Sequence, residues 1–369
     1  MKYISLYLSF LLLLYAAGCK SPPAIHSEEL SSAASGPGVE DDDTEQNPDA
    51  SVNENVPPVV TLPDSDAELP VSSFSEIWGY LVEGREEAYN PDYPISDVCY
   101  FGTDLDSYGS LIDVPDFNKI AAFPGRKHLV ATCNGRALTH FALREGSRER
   151  KALIHDLLKA AGPYDGLQID FEYVLPKDGD IFISFLKDMR KGLGKKLLTV
   201  ALPARTRTLA DDVYDYAKIT PIADRILVMA YDEHWSTSEP GPIASMDWCQ
   251  RVARYALETI GSEKLIMGLP FYGRSWGNIN TNRAYIYSGI EGLMEEQNIT
   301  EIRRENGVPT FRYEMPLSVT VYYEDAYSLS VRLEMYRKLD VNQVGFWRLG
   351  QETPAFWSII KLQQSDPSR

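Results

Sequence analysis

The sequence has few cysteines and few histidines. Four cysteines and five histidines are scattered over 369 residues, without the short, fixed spacing that a zinc site needs. We therefore expect neither a bound metal ion nor a cofactor. Cys99 and Cys133 lie in strand-like runs, where they either pair or remain buried free thiols, and the sequence leaves both alternatives open.

Basic residues are in the minority. The chain has 36 lysines and arginines against 53 aspartates and glutamates, a formal net charge of −17, and no basic patch stands out. Nucleic acid is therefore disfavoured as a partner, because its recognition depends on clustered positive charge. Most of the acidic excess lies in residues 19–72, which are rich in Ser, Pro, Asp and Glu and lack hydrophobic periodicity. This composition predicts a disordered acidic tether ahead of a mildly acidic folded part.

The apolar run near the start of the chain is too short to span a bilayer comfortably. It covers residues 4–17, follows a basic start, and ends at Ala16-Ala17-Gly18-Cys19, a pattern typical of secretory signals. The ending resembles a bacterial lipoprotein signal, although Ala16 replaces the usual leucine. That resemblance implies a signal peptide over residues 1–18, lipidation of Cys19, and an exported protein anchored to a bacterial membrane on its periplasmic or cell-surface face. The alternative is an ordinary signal peptide with an incidental cysteine.

The stretch from Gly166 to Tyr173 has the alternation of a strand, in which successive side chains point to opposite faces. One face is apolar or aromatic, and the other carries Gln168, Asp170 and Glu172. Helical patterns flank the stretch at residues 148–160 and 181–189, which predicts a parallel sheet covered on its faces. The polar face then points into an enclosed space, where two carboxylates are costly unless they have a function. The alternative is a solvated edge strand.

Short apolar strands alternate with helical patterns from residue 76 onward. Eight candidate strands occupy residues 77–82, 98–104, 128–134, 167–173, 197–203, 226–232, 265–271 and 344–349. This number and spacing predict an α/β fold, a (β/α)8 TIM barrel over residues 73–365. An open doubly wound sheet is the alternative, but no Gly-x-Gly-x-x-Gly follows an early strand. The long interval between strands seven and eight predicts a small α+β insertion at about residues 274–325.

In such barrels the active residues lie at the C-terminal ends of the strands. Strands one, four, six, seven and eight all end in acids, aromatic rings or an arginine, namely Tyr80, Asp170, Glu172, Tyr231, Asp232, Arg274 and Trp347. Carboxylates framed by aromatic rings suit a carbohydrate, because the rings stack on sugars and the carboxylates act on the glycosidic oxygen. The pattern therefore favours a sugar-cleaving site.

Three motifs together resemble glycoside hydrolase family 18, the chitinase-type family. The family's Asp-Gly-x-Asp-x-Asp-x-Glu stands as Asp165-Gly166-Leu167-Gln168-Ile169-Asp170-Phe171-Glu172, its Met-x-Tyr-Asp stands as Met229-Ala230-Tyr231-Asp232, and its strand-eight tryptophan matches Trp347. The resemblance covers about residues 75–360. Within the family, the chain is similar to the branch that acts on bacterial cell walls, including spore-cortex lysins. Two departures stand out: Gln168 replaces an acid, and Thr132-Cys133-Asn134-Gly135 replaces the usual Ser-x-Gly-Gly.

The resemblance implies retaining hydrolysis assisted by the substrate's own acetamido group. Glu172 is then the general acid and base, Asp170 accepts the acetamido N–H, Tyr231 donates to the acetamido oxygen, and Trp347 forms the floor under the sugar. Asp232, Tyr80, Gln168 and Arg274 are expected to bind substrate. With a neutral amide at Gln168, an altered pH dependence is expected.

The implied partner is a glycan that contains N-acetylglucosamine, and the protein is expected to be a monomer. Chitin, peptidoglycan and N-glycan remain open as substrates, as do endo and exo action. One alternative is a non-catalytic glycan-binding surface lipoprotein on the same barrel. Another is a structural surface lipoprotein with a decayed site.

Overall fold

The computed structural model describes residues 68–277, 282–314 and 318–363. The predicted signal peptide, the lipidation site at Cys19 and nearly all of the predicted tether lie outside the described residues. A few residues of the predicted insertion, 278–281 and 315–317, lie outside them too. Within the described ranges, no helix combines the length and the apolar character that crossing a membrane requires.

Eight parallel strands close into a barrel, so the prediction of a TIM barrel is confirmed and the open-sheet alternative is wrong. Each strand pairs with the next along the chain, and the eighth pairs with the first. In chain order the strands are β1 Glu76–Val82, β2 Asp97–Leu105, β3 Arg126–Thr132, β4 Gly166–Asp170, β5 Leu197–Pro203, β6 Arg225–Met229, β7 Leu265–Pro270 and β8 Gln343–Trp347.

Two strands end three residues earlier than their sequence pattern predicts. Strand β4 ends at Asp170 and β6 ends at Met229. Glu172, Tyr231 and Asp232 therefore belong to the loops that follow these strands, where the backbone is free to turn side chains across the barrel mouth.

Strand β4 shows why the polar residues face inward. Leu167 and Ile169 pack in the hydrophobic layer between the barrel and its helices, while Gln168 and Asp170 alternate with them and are buried. The strand has a hydrogen-bonded neighbour on each side, so the edge-strand alternative is wrong. Its polar face consequently looks into the barrel.

The N-terminal end of the barrel is filled by packed side chains. Trp78 stacks on His128 with ring centroids 4.4 Å apart, and His128 Nε2 lies 2.8 Å from Asp97 Oδ1. Arg126 donates to Asp97 and also pairs with Glu76 at 2.7 Å. A polar network therefore closes this end of the barrel.

Eight α-helices accompany the strands. They are α1 Arg136–Leu143, α2 Arg148–Ala160, α3 Gly179–Leu193, α4 Tyr216–Ile219, α5 Met246–Ile260, α6 Tyr287–Glu296, α7 Ala326–Lys338 and α8 Pro354–Trp357. Helix α7 begins with a capping box between Asp325 and Ser328. A buried ion pair anchors it, because Arg332 Nη2 lies 3.0 Å from Glu324 Oε1 and also donates to the carbonyl of Ala244 at 2.6 Å.

An antiparallel five-stranded sheet lies between β7 and α7 in the chain. Its strands are Tyr272–Gly277, Arg283–Ile286, Arg303–Glu305, Val308–Glu314 and Ser318–Tyr322, and α6 packs against it. The sheet has a small core of its own, formed by Ile290, Phe311, Val319, Val321 and Tyr323. Two minor pairings complete the described strands: Leu111–Ile112 with the end of β2, and Ser72–Phe74 with Ile360–Leu362.

The three cysteines of the described chain are buried free thiols. Cys99 lies inside the barrel, Cys133 follows β3, and Cys249 lies on α5. Of the two alternatives for Cys99 and Cys133, the structure therefore has the unpaired one.

Candidate active site

A cavity of about 210 Å³ opens at the C-terminal end of the barrel. Six of the residues predicted for the site line it: Tyr80, Asp170, Glu172, Tyr231, Asp232 and Trp347. The remaining wall is formed by Phe101, Thr132, Cys133, Asn134, Ala201 and Met229. The other two predicted residues, Gln168 and Arg274, are not part of this lining and instead bond to residues that are.

Asp170 and Glu172 bring two carboxyl groups to one side of the cavity. Asp170 is only 7% exposed, and its Oδ1 has no hydrogen-bond partner among the described residues, whereas Glu172 is exposed at the cavity. Burial raises the pKa of Asp170, and the negative charge of Glu172 raises it further. The pKa of Glu172 is also raised, by protein atoms that displace water from its carboxyl group and then by the charge of Asp232. The pair therefore holds a proton at pH values where two isolated carboxyl groups would both be ionised.

Gln168 supports this pair from below. Its side chain is completely buried, and its Oε1 accepts a hydrogen bond from the hydroxyl of Tyr80. Burial raises the pKa of Tyr80 well above its usual value, so the phenol stays protonated and remains a donor. The Nε2 of Gln168 has no partner in the described chain, nor does Oγ1 of Thr199, which pairs with it in register on β5. The amide thus adds an uncommitted donor, and no charge, beneath the carboxylates.

The loop after β6 presents Tyr231 and Asp232. Gly268 on β7 makes room for the Tyr231 ring, because a Cβ atom there would lie 2.9 Å from the ring carbon Cε1. Asp232 adopts a positive φ of 56° and accepts hydrogen bonds from the Tyr272 hydroxyl at 2.6 Å and from Arg274 Nη2 at 3.1 Å. Asp232 is thus held in place by two residues of the inserted sheet, of which the sequence pattern singled out only Arg274.

Trp347 lies across the barrel from the two carboxyl groups. It is the last residue of β8, which stands four strands from β4 around the ring. Its ring contacts those of Tyr80 and Phe101, with centroids 5.3 and 5.0 Å away. Aromatic rings and carboxyl groups therefore line the same cavity from opposite sides of the barrel.

Tyr214 is a residue that sequence reasoning missed. It is buried in the loop between β5 and α4, and its hydroxyl donates to the carbonyl of Phe171 at 2.8 Å while accepting from the amide of Val174 at 3.0 Å. These two backbone groups flank Glu172, so the phenol holds the loop that carries this carboxyl group. No signal in the sequence marks it, because the contact joins residues about forty positions apart.

Asn134 was also missed as a site residue, although its motif was noticed as unusual. It follows β3, lines the cavity, and donates from Nδ2 to Asp104 Oδ2 at 2.6 Å. The only sequence signal was its departure from Ser-x-Gly-Gly. As for metals, no group of three or more Asp, Glu, His or Cys side chains within the described ranges is arranged to hold an ion.

The family model described as "Glycosyl hydrolases family 18" matches residues 134–352, more than half of the chain. The chain belongs to glycoside hydrolase family 18. Within this family it is 33% identical over 225 residues to the putative sporulation-specific glycosylase YdhD of Bacillus subtilis, covering 57% of this chain and 52% of that protein. It is 31% identical over 211 residues to the uncharacterized glycosylase YvbX of the same organism, covering 54% and 61%.

The family member described here spans little more than half the length of these curated relatives. Among solved structures it is similar to the spore cortex-lytic enzyme SleL of Bacillus cereus, with a TM-score of 0.71, 21% identity, and 79% of this chain and 76% of that chain covered. It is also similar to a chitinase from Chromobacterium violaceum, with a TM-score of 0.66, 21% identity, and 77% and 97% covered. At these identities the structural likeness supports the barrel fold.

Proposed function

We propose that this protein hydrolyses β-linked glycans that contain N-acetylglucosamine, with retention of configuration and with assistance from the substrate's acetamido group. The observation that carries the proposal is the cavity itself. Two carboxyl groups with raised pKa values line it together with Trp347 and Tyr231, and the Tyr231 hydroxyl has no hydrogen-bond partner among the described residues.

In this proposal the reacting sugar rests on Trp347. Glu172 donates a proton to the glycosidic oxygen as the bond to the anomeric carbon breaks, and the acetamido carbonyl oxygen attacks that carbon from the opposite face. Asp170 accepts a hydrogen bond from the acetamido N–H and stabilises the positive charge of the cyclic intermediate. Glu172, now a carboxylate, then takes a proton from water, whose oxygen attacks the same carbon and restores the acetamido group.

The electrostatics of the cavity support these roles. A general acid must be protonated at the working pH, and the raised pKa of Glu172 serves that requirement. Tyr231 stays a donor because burial raises its pKa, and the charges of Asp170 and Glu172 raise it further. Its hydroxyl is thereby suited to align the acetamido oxygen. The binding surface is supported or extended by four further residues, namely Tyr80, Gln168, Asp232 and Arg274.

The proposed substrate is peptidoglycan or a chitin-like glycan. Its support is family membership, together with similarity to a relative named cortical fragment-lytic enzyme in Bacillus subtilis, 23% identical over 232 residues. We further propose that the protein acts as a monomer, exported and anchored to a bacterial membrane through Cys19. Radiolabelled palmitate incorporation, lost in Cys19→Ser, tests the anchor.

The central test compares wild type, Glu172→Gln and Glu301→Gln on chitooligosaccharides and on purified peptidoglycan, with products identified by mass spectrometry. Glu301 is an exposed acid whose one ion-pair partner among the described residues is Arg303, so its variant controls for the loss of one charge. General acid–base catalysis contributes about 10²- to 10⁴-fold, so Glu172→Gln is expected to lose at least that much turnover while still binding oligomers.

Three outcomes contradict the proposal in different ways. Equal hydrolysis by Glu172→Gln and wild type removes Glu172 from its role. Binding without cleavage by wild type supports the glycan-binding alternative. A normally folded wild type that neither binds nor cleaves any of these glycans supports a decayed site.

A further inference from the structure

One flank of the cavity carries a polar pair to which no role is assigned. Asn134 is exposed and lines the cavity at the end of β3, and its Nδ2 donates to Asp104 Oδ2 at 2.6 Å. Asp104 is near the end of β2, and its Oδ1 accepts from the amide of Leu105 at 2.8 Å. Asn134 Oδ1 has no hydrogen-bond partner in the described chain. One N–H of the amide is thus committed to Asp104, and the amide oxygen remains available to accept from a ligand.

The charge of this flank is not neutralised. Among the described residues, no lysine, arginine or histidine lies within ion-pair distance of Asp104, which is joined instead to a neutral amide. The opposite flank differs. Asp232 follows β6, four strands from β2 around the ring, and Arg274 neutralises it at 3.1 Å. On the β2–β3 side, the carboxylate of Asp104 lies one hydrogen bond from the lining residue Asn134 and has no counter-charge in the described chain. On the β6 side, the carboxylate of Asp232 has Arg274 as its counter-charge.

This asymmetry discriminates between sugars by the charge on their substituents. A hexosamine with a free ammonium group offers three N–H donors and a positive charge to an acceptor-rich, negative wall. An acetamido group offers one N–H and no charge. A sugar with a free carboxylate substituent, such as a muramyl residue whose lactyl carboxyl carries no peptide, is repelled by Asp104.

We propose that Asp104 and Asn134 form a subsite that favours an N-deacetylated, ammonium-bearing glucosamine residue beside the reacting N-acetylglucosamine, and disfavours a carboxylate-bearing sugar there. The proposal rests on the proposed function, since the reacting sugar is placed at Glu172. Asp104 supplies the charge, and Asn134 holds that carboxylate at the wall while its own Oδ1 accepts from the ligand. The pair thereby sets the register in which a mixed glycan enters the cavity.

The test compares fully acetylated chitopentaose with partially N-deacetylated pentamers, and measures kcat/KM and the position of cleavage by mass spectrometry. Asp104→Asn removes the charge while keeping the shape and an acceptor for Asn134. Asp113→Asn is the matched control, because it removes the same charge at an exposed position whose φ of 52° asparagine tolerates well.

We expect the preference for deacetylated over acetylated pentamer to fall about fivefold in Asp104→Asn, which corresponds to about 1 kcal/mol, the upper range for a solvent-accessible ion pair. The preference of Asp113→Asn should equal that of wild type. In wild type it should also weaken with added salt, since the screening length falls from about 30 Å at 0.01 M to about 3 Å at 1 M. Cleavage products should show glucosamine enriched at one fixed position next to the broken bond.

The same comparison by calorimetry keeps the inference testable without turnover. If wild type cleaves neither the pentamers nor purified peptidoglycan, the proposed function fails, and the ratio of the two Kd values in wild type and Asp104→Asn still tests the subsite. If wild type cleaves both pentamers with a preference that neither Asp104→Asn nor salt changes, the subsite is overturned while the proposed function stands. Thermal unfolding of each variant confirms that it is folded.

Discussion

The hydroxyl of Tyr214 holds the loop that carries Glu172, the proposed general acid. It bridges the carbonyl of Phe171 and the amide of Val174, which flank Glu172, at 2.8 and 3.0 Å. Tyr214→Phe removes only this hydroxyl and leaves the ring, which packs against Phe182 with centroids 6.1 Å apart. The loop then keeps its hydrophobic contacts and loses its hydrogen-bonded bridge.

The expected loss follows from the burial of the groups involved. Phe171 and Val174 are 1% and 7% exposed, so water replaces the phenol poorly at their backbone groups. A buried polar group left without a partner costs about 1–3 kcal/mol, so two of them predict a loss of about 2–6 kcal/mol of unfolding free energy. A misplacement of about 1 Å at a reacting group costs up to about 10²-fold in rate, so we expect kcat to fall about 10- to 100-fold.

The assay separates positioning from general destabilisation. KM is expected to change little, because Trp347 and Tyr231 are untouched, while the basic limb of the pH profile moves to lower pH as Glu172 becomes better hydrated. Tyr216→Phe is the matched control: Tyr216 is also buried in this region, and its hydroxyl donates to the carbonyl of Pro203 at 2.7 Å, away from the Glu172 loop. It should lower Tm without altering kcat or the pH profile.

Two results would refute this reasoning. One is a folded Tyr214→Phe enzyme whose kcat stays within about twofold of wild type, since positioning effects are expected to be far larger. The other is an equal fall of kcat in Tyr214→Phe and Tyr216→Phe, which would make the effect one of stability alone.

Two further predictions concern buried charge. Because the pKa of Asp170 is raised above the ordinary value of 3.8, the folded state holds its proton where the unfolded state has released it, and wild-type stability falls as the pH rises through that interval. Asp170→Asn should therefore gain more stability over wild type at pH 8 than at pH 5, in thermal or urea unfolding; an equal gain at both pH values would contradict the raised pKa. Glu324→Gln should leave the charge of Arg332 buried without an opposite charge, and should lower the free energy of unfolding, measured in urea, by about 3–5 kcal/mol. Glu301→Gln, which breaks the exposed pair with Arg303, should lower the free energy of unfolding by at most about 1 kcal/mol. Similar losses in the two variants would show that burial of the ion pair does not matter.

The barrel could be predicted because its signals are local. Side chains alternate along each strand and repeat at helical spacing between strands, so eight short apolar runs separated by helices sufficed for the fold class. Asp170 faces inward by the same alternation, whereas Glu172, two residues later, is placed by the loop that follows β4. The strand ends were less predictable, because β4 and β6 stop where the backbone turns into the cavity, and no side-chain pattern marks that point.

The rest of the site depends on contacts between segments that are far apart in the chain. Tyr80 bonds to Gln168 across 88 positions, and Tyr272 bonds to Asp232 across 40. Which side chains meet is decided by the order of strands around the closed ring and by the conformations of the loops above it. The sequence alone therefore determined the barrel and its reactive residue types. Only the tertiary structure decided which charges are neutralised, which are left unpaired, and what holds Glu172 in place.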